Sequence, residues 1–239
     1  ITERLVGSEM CIRDRFLVGF EKFFINTPWP LIVLGILILA WIGSRSIVIV
    51  IGTFLSFMLI GYFGMWEDTM STLAIILVAT FLCISIGIPV GIAMARSNKV
   101  QALIVPVLDV MQTIPSFVYL IPVVMLLGIG KVPGLIAVCI YAIPPIVRLT
   151  NLGIRLVDKD ALEAADSFGA NYWQKLFGVQ MPLALPTIFA GVNQTIMMAL
   201  AMVVIASMIG VKGLGLPVLR AVSNCLLYTS PSPRDAQLS

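Results

Sequence analysis

The sequence has no histidine and few charged residues. Of its 239 residues, 11% are Asp, Glu, Lys or Arg, and the formal net charge is +3. The absence of histidine excludes imidazole acid–base catalysis and histidine metal ligands. A soluble domain has about 25% charged residues, so these few charges cannot cover a soluble surface. The small net charge gives no reason to expect a nucleic-acid partner.

Cysteine is also scarce. The four cysteines include no C-x-x-C pair, so the sequence indicates neither a zinc site nor a redox pair. Cys83 and Cys139 stand alone in apolar runs, and we interpret them as small core residues. The stretch GIGKV at 128–132 lacks the first glycine and the Ser/Thr of a phosphate-binding P-loop. We therefore expect this chain to bind no cofactor, no metal and no ATP.

Long hydrophobic runs dominate what remains. Hydrophobic residues make up 59% of the sequence, and the mean hydropathy is +1.05. A membrane-spanning helix needs about 20 apolar residues, and these runs are too long and unbroken for alternating barrel strands. We predict an all-α, polytopic transmembrane helical bundle of about six spans. The predicted spans are 29–43, 46–65, 69–95, 102–128, 133–154 and 182–208.

Lys and Arg residues are concentrated in alternate loops. Loop 96–101 contains two of them, whereas loop 66–69 contains none. Four more surround the loop after the fifth predicted span: Arg148, Arg155, Lys159 and Lys175. Because positively charged loops stay in the cytoplasm, this pattern sets the orientation. The predicted cytoplasmic loops are 44–46, 96–101 and 155–181, and we interpret Arg148 as reaching the cytoplasmic interface.

Both ends of the chain look foreign to it. LVGSEMCIRDR (5–15) and CLLYTSPSPRD (225–235) fit one DNA sequence translated in opposite directions. That DNA resembles a sequencing-library adapter. We therefore expect residues 1–15 and 225–239 to be adapter-derived, with the natural termini and a C-terminal span missing by truncation.

The fourth predicted span is unusually polar, and we expect Pro106, Pro115 and Pro122 to interrupt it. Within it, Asp109, Gln112 and Thr113 lie close to Pro115 and Pro122. An ionisable group inside a membrane segment usually has a functional role. However, Asp109 lies near the cytoplasmic start of the span, where interfacial water would reach it. Two interpretations stay open, a translocation path or gate and simple interfacial solvation.

Small residues recur at helical spacing in the third predicted span. Gly87 and Gly91 are four residues apart, on either side of Pro89. Residues at this spacing lie on one face of a helix, and glycines there let another backbone come close. We predict that this face packs against another helix.

The longest polar loop, 155–181, begins with a helix signal. Asp160 and Glu163 fit a capping box, with Asp160 as the N-cap. This predicts a short helix over 161–168. Gly169 would then end the helix in the left-handed conformation that glycine adopts readily.

A second helix signal follows directly. Asn171 would cap a short helix through residue 177, and Pro182 would open the next span in its first turn. The small side chains of Ala164 and Ala165 would let the first helix enter a groove on a partner protein, with Glu163 meeting a basic group at the rim. The alternative is that Glu163 is only a cap and that the alanines are only good helix formers.

The loop resembles the EAA loop of permeases in binding-protein-dependent ABC importers. The family pattern is Glu-Ala-Ala, three residues, Gly, nine residues, then a hydrophobic residue, any residue, a hydrophobic residue and Pro. The residues that fill it are Glu163, Ala164, Ala165, Gly169, Val179, Met181 and Pro182, with Met181 in place of the usual leucine. MQTIPSFVYLIPVVMLLGIGKVPG, YAIPPIVRLTNLGIR and GVKGLGLPVLRAV are similar to the permease subunit of glycine betaine/proline-type osmoprotectant importers.

The resemblance implies a type I ABC importer permease that is not itself an enzyme. It implies an accessory transmembrane region at 16–68 and a permease domain at 69–224, with its coupling loop at 158–181. It also implies a quaternary-ammonium osmoprotectant as substrate and a bacterial inner-membrane location. Alternatives are a permease for an amino acid, amine or sulfonate, and an ion-coupled secondary transporter, although no inverted repeat or paired acids are seen.

The implied partners follow from the same resemblance. A cytoplasmic ABC ATPase, which binds the ATP, would dock on Glu163, Ala164, Ala165, Gly169 and Pro182. A second permease copy would complete a homodimer within the lipid bilayer. A substrate-binding protein would dock on the extracytoplasmic side.

Overall fold

The structure is a computed structural model that describes Gly19 and residues 27–229, with side chains as far as residue 222. Every regular element in this range is helical, as predicted. In chain order the elements are α1 (Trp29–Ser44), α2 (Ile47–Tyr62), α3 (Trp66–Arg96), α4 (Asn98–Thr113), α5 (Ser116–Leu127), α6 (Lys131–Arg155), α7 (Lys159–Ser167), α8 (Tyr172–Lys175), a π turn (Leu176–Gln180), α9 (Met181–Ala206), a 3-10 turn (Ser207–Ile209) and α10 (Gly215–Thr229). Of the residues predicted to be adapter-derived, 1–15 and 230–239 lie outside the described residues, whereas 225–229 form the end of α10.

Several of these helices match the dimensions of a membrane. In the described residues, α3, α6 and the continuous stretch Tyr172–Ile209 are each long and apolar enough to cross a bilayer. The pair α4 and α5 makes a fourth span if it is counted as one. Helices α1 and α2 have 16 residues each, about 24 Å at 1.5 Å per residue, against about 30 Å of hydrocarbon. The predicted total of six spans therefore stays a prediction.

The fourth predicted span is broken, and the break has one identifiable cause. Helices α4 and α5 meet at an angle of 98°. Ile114 adopts an extended conformation with ψ 130°, the conformation that a following proline favours, so α4 ends before Pro115. Pro106 and Pro122 were expected to interrupt the span as well, but both lie inside helices.

A side chain repairs the hydrogen bonding at this break. Pro115 has no N–H, so the carbonyl of Met111 lacks the donor that a continuous helix would supply. The hydroxyl of Tyr119 donates to that carbonyl instead. The sharp bend is thus a defined feature of the fold, because its freed acceptor has a specific partner.

The described residues form two compact units. One contains the described parts of residues 1–75 and 203–239 together with Ile129–Gly134. In it α1 packs against α2, and no side chain of α2 is buried. A helix that is apolar on every face suits contact with lipid. The N–H of Leu214 also donates to Thr72 Oγ1 at 2.9 Å, so the start of α3 lies beside the segment after α9.

The other unit comprises Ile76–Gly128 and Leu135–Met202. In it the predicted glycine face of α3 packs against α6. Gly91 lies so close to Thr150 that an added Cβ would be 2.6 Å from the Thr150 Cβ, and Gly87 faces Ile146 in the same way. The prediction of a close helix contact is confirmed, and its partner is α6.

Helices α3 and α6 run parallel. The Cys83 thiol lies 3.6 Å from the carbonyl oxygen of Cys139, and near the helix ends Arg155 Nη2 donates to the carbonyl of Met94 at 2.9 Å. Because residue numbers rise together along both helices, α3 and α6 end on the same side. This agrees with the predicted placement of loops 96–101 and 155–181 together. Cys83, which is buried, and Cys139, which is half-buried, are neighbours rather than isolated residues.

Candidate functional site

The loop helix α7 begins two residues earlier than the sequence predicted. Asp158 is the N-cap, and its Oδ1 accepts a hydrogen bond from the N–H of Asp160 at 3.1 Å. Asp160 therefore lies in the first turn, where its charge is favourable to the helix dipole. The predicted capping box of Asp160 and Glu163 is wrong, because Asp158 already occupies the capping position.

This correction places Glu163 in the middle of α7, where its side chain has no capping role. Glu163 and Ala164 are exposed, whereas Ala165 is only partly exposed. Phe168 follows the helix directly and is 91% exposed. We call Glu163, Ala164 and Phe168 the docking face, after the role that the sequence resemblance implies for this loop. The sequence interpretation missed Phe168, although a large aromatic residue before a turn glycine in a polar loop was a usable signal.

Gly169 ends α7 as predicted. Its φ is +71°, in the left-handed region. The N–H of Ala170 donates to the carbonyl of Ala165 at 3.0 Å, and the N–H of Gly169 donates to the carbonyl of Asp166 at 2.9 Å. This pair of bonds is a Schellman motif, which satisfies carbonyls at the end of a helix.

Replacing Gly169 by alanine is expected to loosen α7 through backbone strain alone. An added Cβ at Gly169 meets nothing within 4 Å, but a left-handed alanine costs about 1–2 kcal/mol. Amide hydrogen exchange across α7 should therefore speed up by roughly five- to thirtyfold. Gly178→Ala is the matched control, since its Cβ also meets open space and no left-handed φ is involved. Equal exchange rates in the two variants would contradict this account of the turn.

The second loop helix, α8, has the predicted cap but not the predicted end. Asn171 accepts from the N–H of Tyr172, and its own N–H donates to Gln174 Oε1 at 2.7 Å, which completes a capping box. Helix α8 then continues through the π turn into α9 without a break. As predicted, Pro182 lies in the first turn of the next span, because α9 begins at Met181. The wider π turn ends at Gln180, two residues before Pro182, which has no N–H to donate to the helix.

An arginine at the end of α3 holds α8 in place. The Cζ atom of Arg96 lies 4.0 Å from the ring centroid of Tyr172 and 5.6 Å from that of Trp173. Trp173 also stacks on Phe177, with ring centroids 5.8 Å apart. We call Arg96, Tyr172 and Trp173 the Arg96 clamp. The sequence interpretation used Arg96 only as a positive charge in a loop and missed the contact.

The two loop helices are also tied to each other. Lys175 of α8 forms an ion pair with Asp166 of α7. Together with the Gly169 turn, this pair joins α7 to α8. The clamp joins α8 to α3, and the Arg155–Met94 hydrogen bond joins α3 to α6. A displacement of α7 would therefore reach α3 and α6 through contacts, and α9 through a continuous helix.

The predicted path residues all lie on the broken span. Asp109, Gln112, Thr113, Pro115 and Pro122 are each exposed. Thr113 Oγ1 donates to the carbonyl of Val110 at 3.1 Å, so its hydroxyl is used within α4. The structure does not gather these five residues around one point.

The broken span contacts α6 through two pairs that sequence reasoning did not connect. Asp109 of α4 forms an ion pair with Arg148 of α6. The rings of Tyr119 in α5 and Tyr141 in α6 meet edge to face, with centroids 6.1 Å apart. Arg148 therefore has an acidic partner within the fold. The sequence interpretation placed its side chain at the cytoplasmic interface and did not predict this partner.

Comparison with known proteins identifies the family to which a chain with this fold and loop belongs. The family model for the binding-protein-dependent transport system inner membrane component matches residues 87–226. The MetNI methionine ABC transporter, solved in inward-facing conformations, is similar in fold, with a TM-score of 0.55 at 22% identity over 61% of this chain and 74% of that one. The fold is therefore that of an ABC transporter membrane subunit. The chain belongs to the family of binding-protein-dependent transport system inner membrane components.

Two relatives are similar over most of this chain. The glycine betaine/proline betaine transport system permease protein ProW of Escherichia coli K12 is 51% identical over 87% of this chain and 59% of its own length. The glycine betaine/carnitine transport permease protein GbuB of Listeria monocytogenes 10403S is 48% identical over 84% of this chain and 72% of its own length. This chain thus spans less than two thirds of ProW.

Proposed function

We propose that the chain is the membrane subunit of an ATP-driven importer for a quaternary-ammonium osmolyte of the glycine betaine type. The observation that carries the proposal is the two-helix loop, with an exposed docking face at one end and the Arg96 clamp at the other. The names of the two relatives support the substrate class. Betaines and carnitine share a fully substituted, positively charged nitrogen and a carboxylate.

The partners in this proposal are separate subunits. A cytoplasmic ATPase binds and hydrolyses ATP and docks on α7, with Ala164 and Ala165 permitting close approach and Gly169 fixing the turn. A second copy of the chain completes the membrane part, and a binding protein delivers the solute outside. Coupling of this kind needs an element whose contacts differ between two states. Helix α7 suits this role because it is exposed on one side and tied to the spans on the other.

The translocation path in this proposal includes the broken span. Its bend at Pro115 is stabilised by the Tyr119–Met111 hydrogen bond, and its polar residues Asp109, Gln112 and Thr113 lie near that bend. Irregular backbone at membrane depth is tolerated where it is covered by protein or lines a water-filled cavity. A path or gate at this position agrees with both features.

Glu163→Lys is expected to detach the ATPase. Reversing a charge on the docking face places like charges together at a contact that needs a basic partner, and about tenfold weaker co-purification should result. Glu67→Lys makes the same charge change at an exposed position. It lies at the start of α3, whereas the loop contacts the other end of that helix at Arg96, so co-purification should be unchanged. Full co-purification and full import by Glu163→Lys would contradict docking on α7.

Uptake into proteoliposomes separates the proposed class and substrate from the alternatives. Import of radiolabelled glycine betaine should require ATP inside, the ATPase and the binding protein. Excess carnitine should compete, whereas an unmethylated amino acid or a sulfonate should not. Uptake driven by an ion gradient without ATP would support a secondary transporter and overturn the proposal.

A further inference from the structure

Helix α6 presents a charged pair and an aromatic pair on one face. Arg148 meets Asp109 of α4, and Tyr141 meets Tyr119 of α5. Residues 141 and 148 are seven apart, which is two helical turns, so they lie on the same side of α6. Side chains in a helix lean toward its N-terminus, so Arg148 extends in the direction of Tyr141. The charged pair and the aromatic pair therefore lie on one side of α6.

This face has unused hydrogen-bonding capacity. Arg148 Nε is buried and has no hydrogen-bond partner within the described part of the chain. The Arg148 side chain is 36% exposed and that of Asp109 is 54% exposed, so neither is enclosed by protein. Pro144 and Pro145 have no N–H, so the carbonyls of two residues one turn earlier, Ile140 and Tyr141, lose their regular helical donors. Exposed charges within a span usually face a bundle interior or a water-filled cavity rather than lipid.

We propose that Tyr119, Tyr141 and Arg148 form a transient binding site for a zwitterion that has a methylated ammonium and a carboxylate. The inference rests on the proposed function and deepens it. The methylated ammonium contacts the tyrosine rings through cation–π attraction. The carboxylate binds the Arg148 guanidinium, whose planar donors match a carboxylate. Asp109 releases Arg148 as the solute arrives.

The ion pair explains how the site can be empty without leaving an unpaired charge in a membrane segment. A lone guanidinium in a membrane segment would be strongly unfavourable, so Asp109 neutralises it while no solute is bound. The solute carboxylate then replaces one anionic partner with another. Because the solute must displace Asp109, it is bound weakly enough to be released. Asp109 is therefore a competitor within the site, and its removal should strengthen binding.

Ligand-observed NMR on the complex of this chain with its ATPase, in nanodiscs without the binding protein, tests the site. The probes are glycine betaine and choline, which has the methylated ammonium but no carboxylate. Saturation transfer to the N-methyl protons should show both ligands bound to the unaltered complex. Arg148→Gln should weaken glycine betaine by about tenfold and leave choline nearly unchanged. Asp109→Asn should strengthen glycine betaine.

Tyrosine variants separate the ammonium contact from the carboxylate contact. Tyr141→Leu should weaken both ligands, because both have the methylated ammonium. Tyr62→Leu, at an exposed position on α2, is the matched control and should weaken neither. If Arg148→Gln fails to assemble, Arg148→Lys, Asp109→Asn and Tyr141→Leu decide the question. Arg148→Lys keeps the charge and should show intermediate glycine betaine binding.

The possible results distinguish failure of the proposed binding site from failure of the proposed transport function. Equal loss of both ligands in Arg148→Gln and Asp109→Asn would show a purely structural ion pair and overturn the site. So would the absence of any N-methyl signal in a complex that imports glycine betaine, which would leave the proposed function standing. Failure of the unaltered, fully assembled transporter to import glycine betaine would instead overturn the proposed substrate.

Discussion

Replacing Gly91 by alanine is expected to force α3 and α6 apart and to destabilise the protein strongly. The added Cβ would lie 2.6 Å from the Cβ of Thr150, 2.8 Å from its Cγ2 and 2.9 Å from the carbonyl oxygen of Val147. Rotating the threonine cannot relieve the contacts with its own Cβ and with backbone. Overpacking of this kind costs about 1–3 kcal/mol. The temperature at which half of the detergent-solubilised protein remains monodisperse should fall by roughly 2–12 °C, since 1 kcal/mol corresponds to about 2–4 °C for a chain of this length.

Gly52→Ala provides the control for this experiment. Gly52 also lies within an apolar helix, α2, but a Cβ there meets nothing within 4 Å. Alanine is the better helix former, so this variant should be as stable as the unaltered protein or slightly more so. Equal thermal midpoints for Gly91→Ala and Gly52→Ala would mean that the glycine face does not set the helix separation.

The features that the sequence predicted correctly depend on local rules. Long apolar runs predicted an all-helical membrane fold, and the spacing of Gly87 and Gly91 predicted a close helix contact. Gly169 and Asn171 were identified because turn and cap positions favour particular residues within a few positions. The EAA pattern predicted the family for the same reason, since its positions lie within one loop.

The errors arise where two local signals compete or where a neighbouring turn changes their effect. Asp158 and Asp160 are both good N-caps, and the sequence alone does not show which one starts α7. The second loop helix was expected to end at residue 177, but the π turn carries it on into α9, where Pro182 lies in the first turn as predicted. Pro106 and Pro122 were expected to break the fourth span, yet only Pro115 does so.

The contacts that join the loop to α3 and the broken span to α6 could not be predicted from the sequence. Arg96 contacts Tyr172, and Asp109 contacts Arg148, across long separations in sequence. Each residue has an adequate local explanation as a loop charge or an interfacial side chain. Only the packing of α3 and α4 against their neighbours shows which residues meet.

Arg96→Ala is expected to reduce import about five- to tenfold without releasing the ATPase. The substitution removes the cation that lies over the rings of Tyr172 and Trp173, so α8 loses its side-chain contact with the end of α3. A cation–π contact contributes about 0.5–2 kcal/mol, enough to change the coupling between two states by this factor. Import and ATPase co-purification should be measured on the same preparations of the complete transporter.

Two substitutions control for charge and for position. Lys99→Ala removes the same charge from an exposed residue of the same loop region and should leave import unchanged. Arg96→Lys keeps the charge but not the planar group that stacks on a ring, so intermediate import is expected. Unaltered import by Arg96→Ala would remove the clamp from the coupling route.

Comparing the single variants Arg96→Ala and Glu163→Lys tests whether ATPase docking and the transfer of its motion to the spans are separate steps. Glu163 lies on the exposed docking face of α7, whereas Arg96 acts on α8 beyond the Gly169 turn. Glu163→Lys should therefore lose both ATPase binding and import, and Arg96→Ala should lose import alone. If Arg96→Ala also released the ATPase, the two loop helices would act as one docking surface. The continuous helix from α8 to α9 would then be the remaining link from the loop to the membrane.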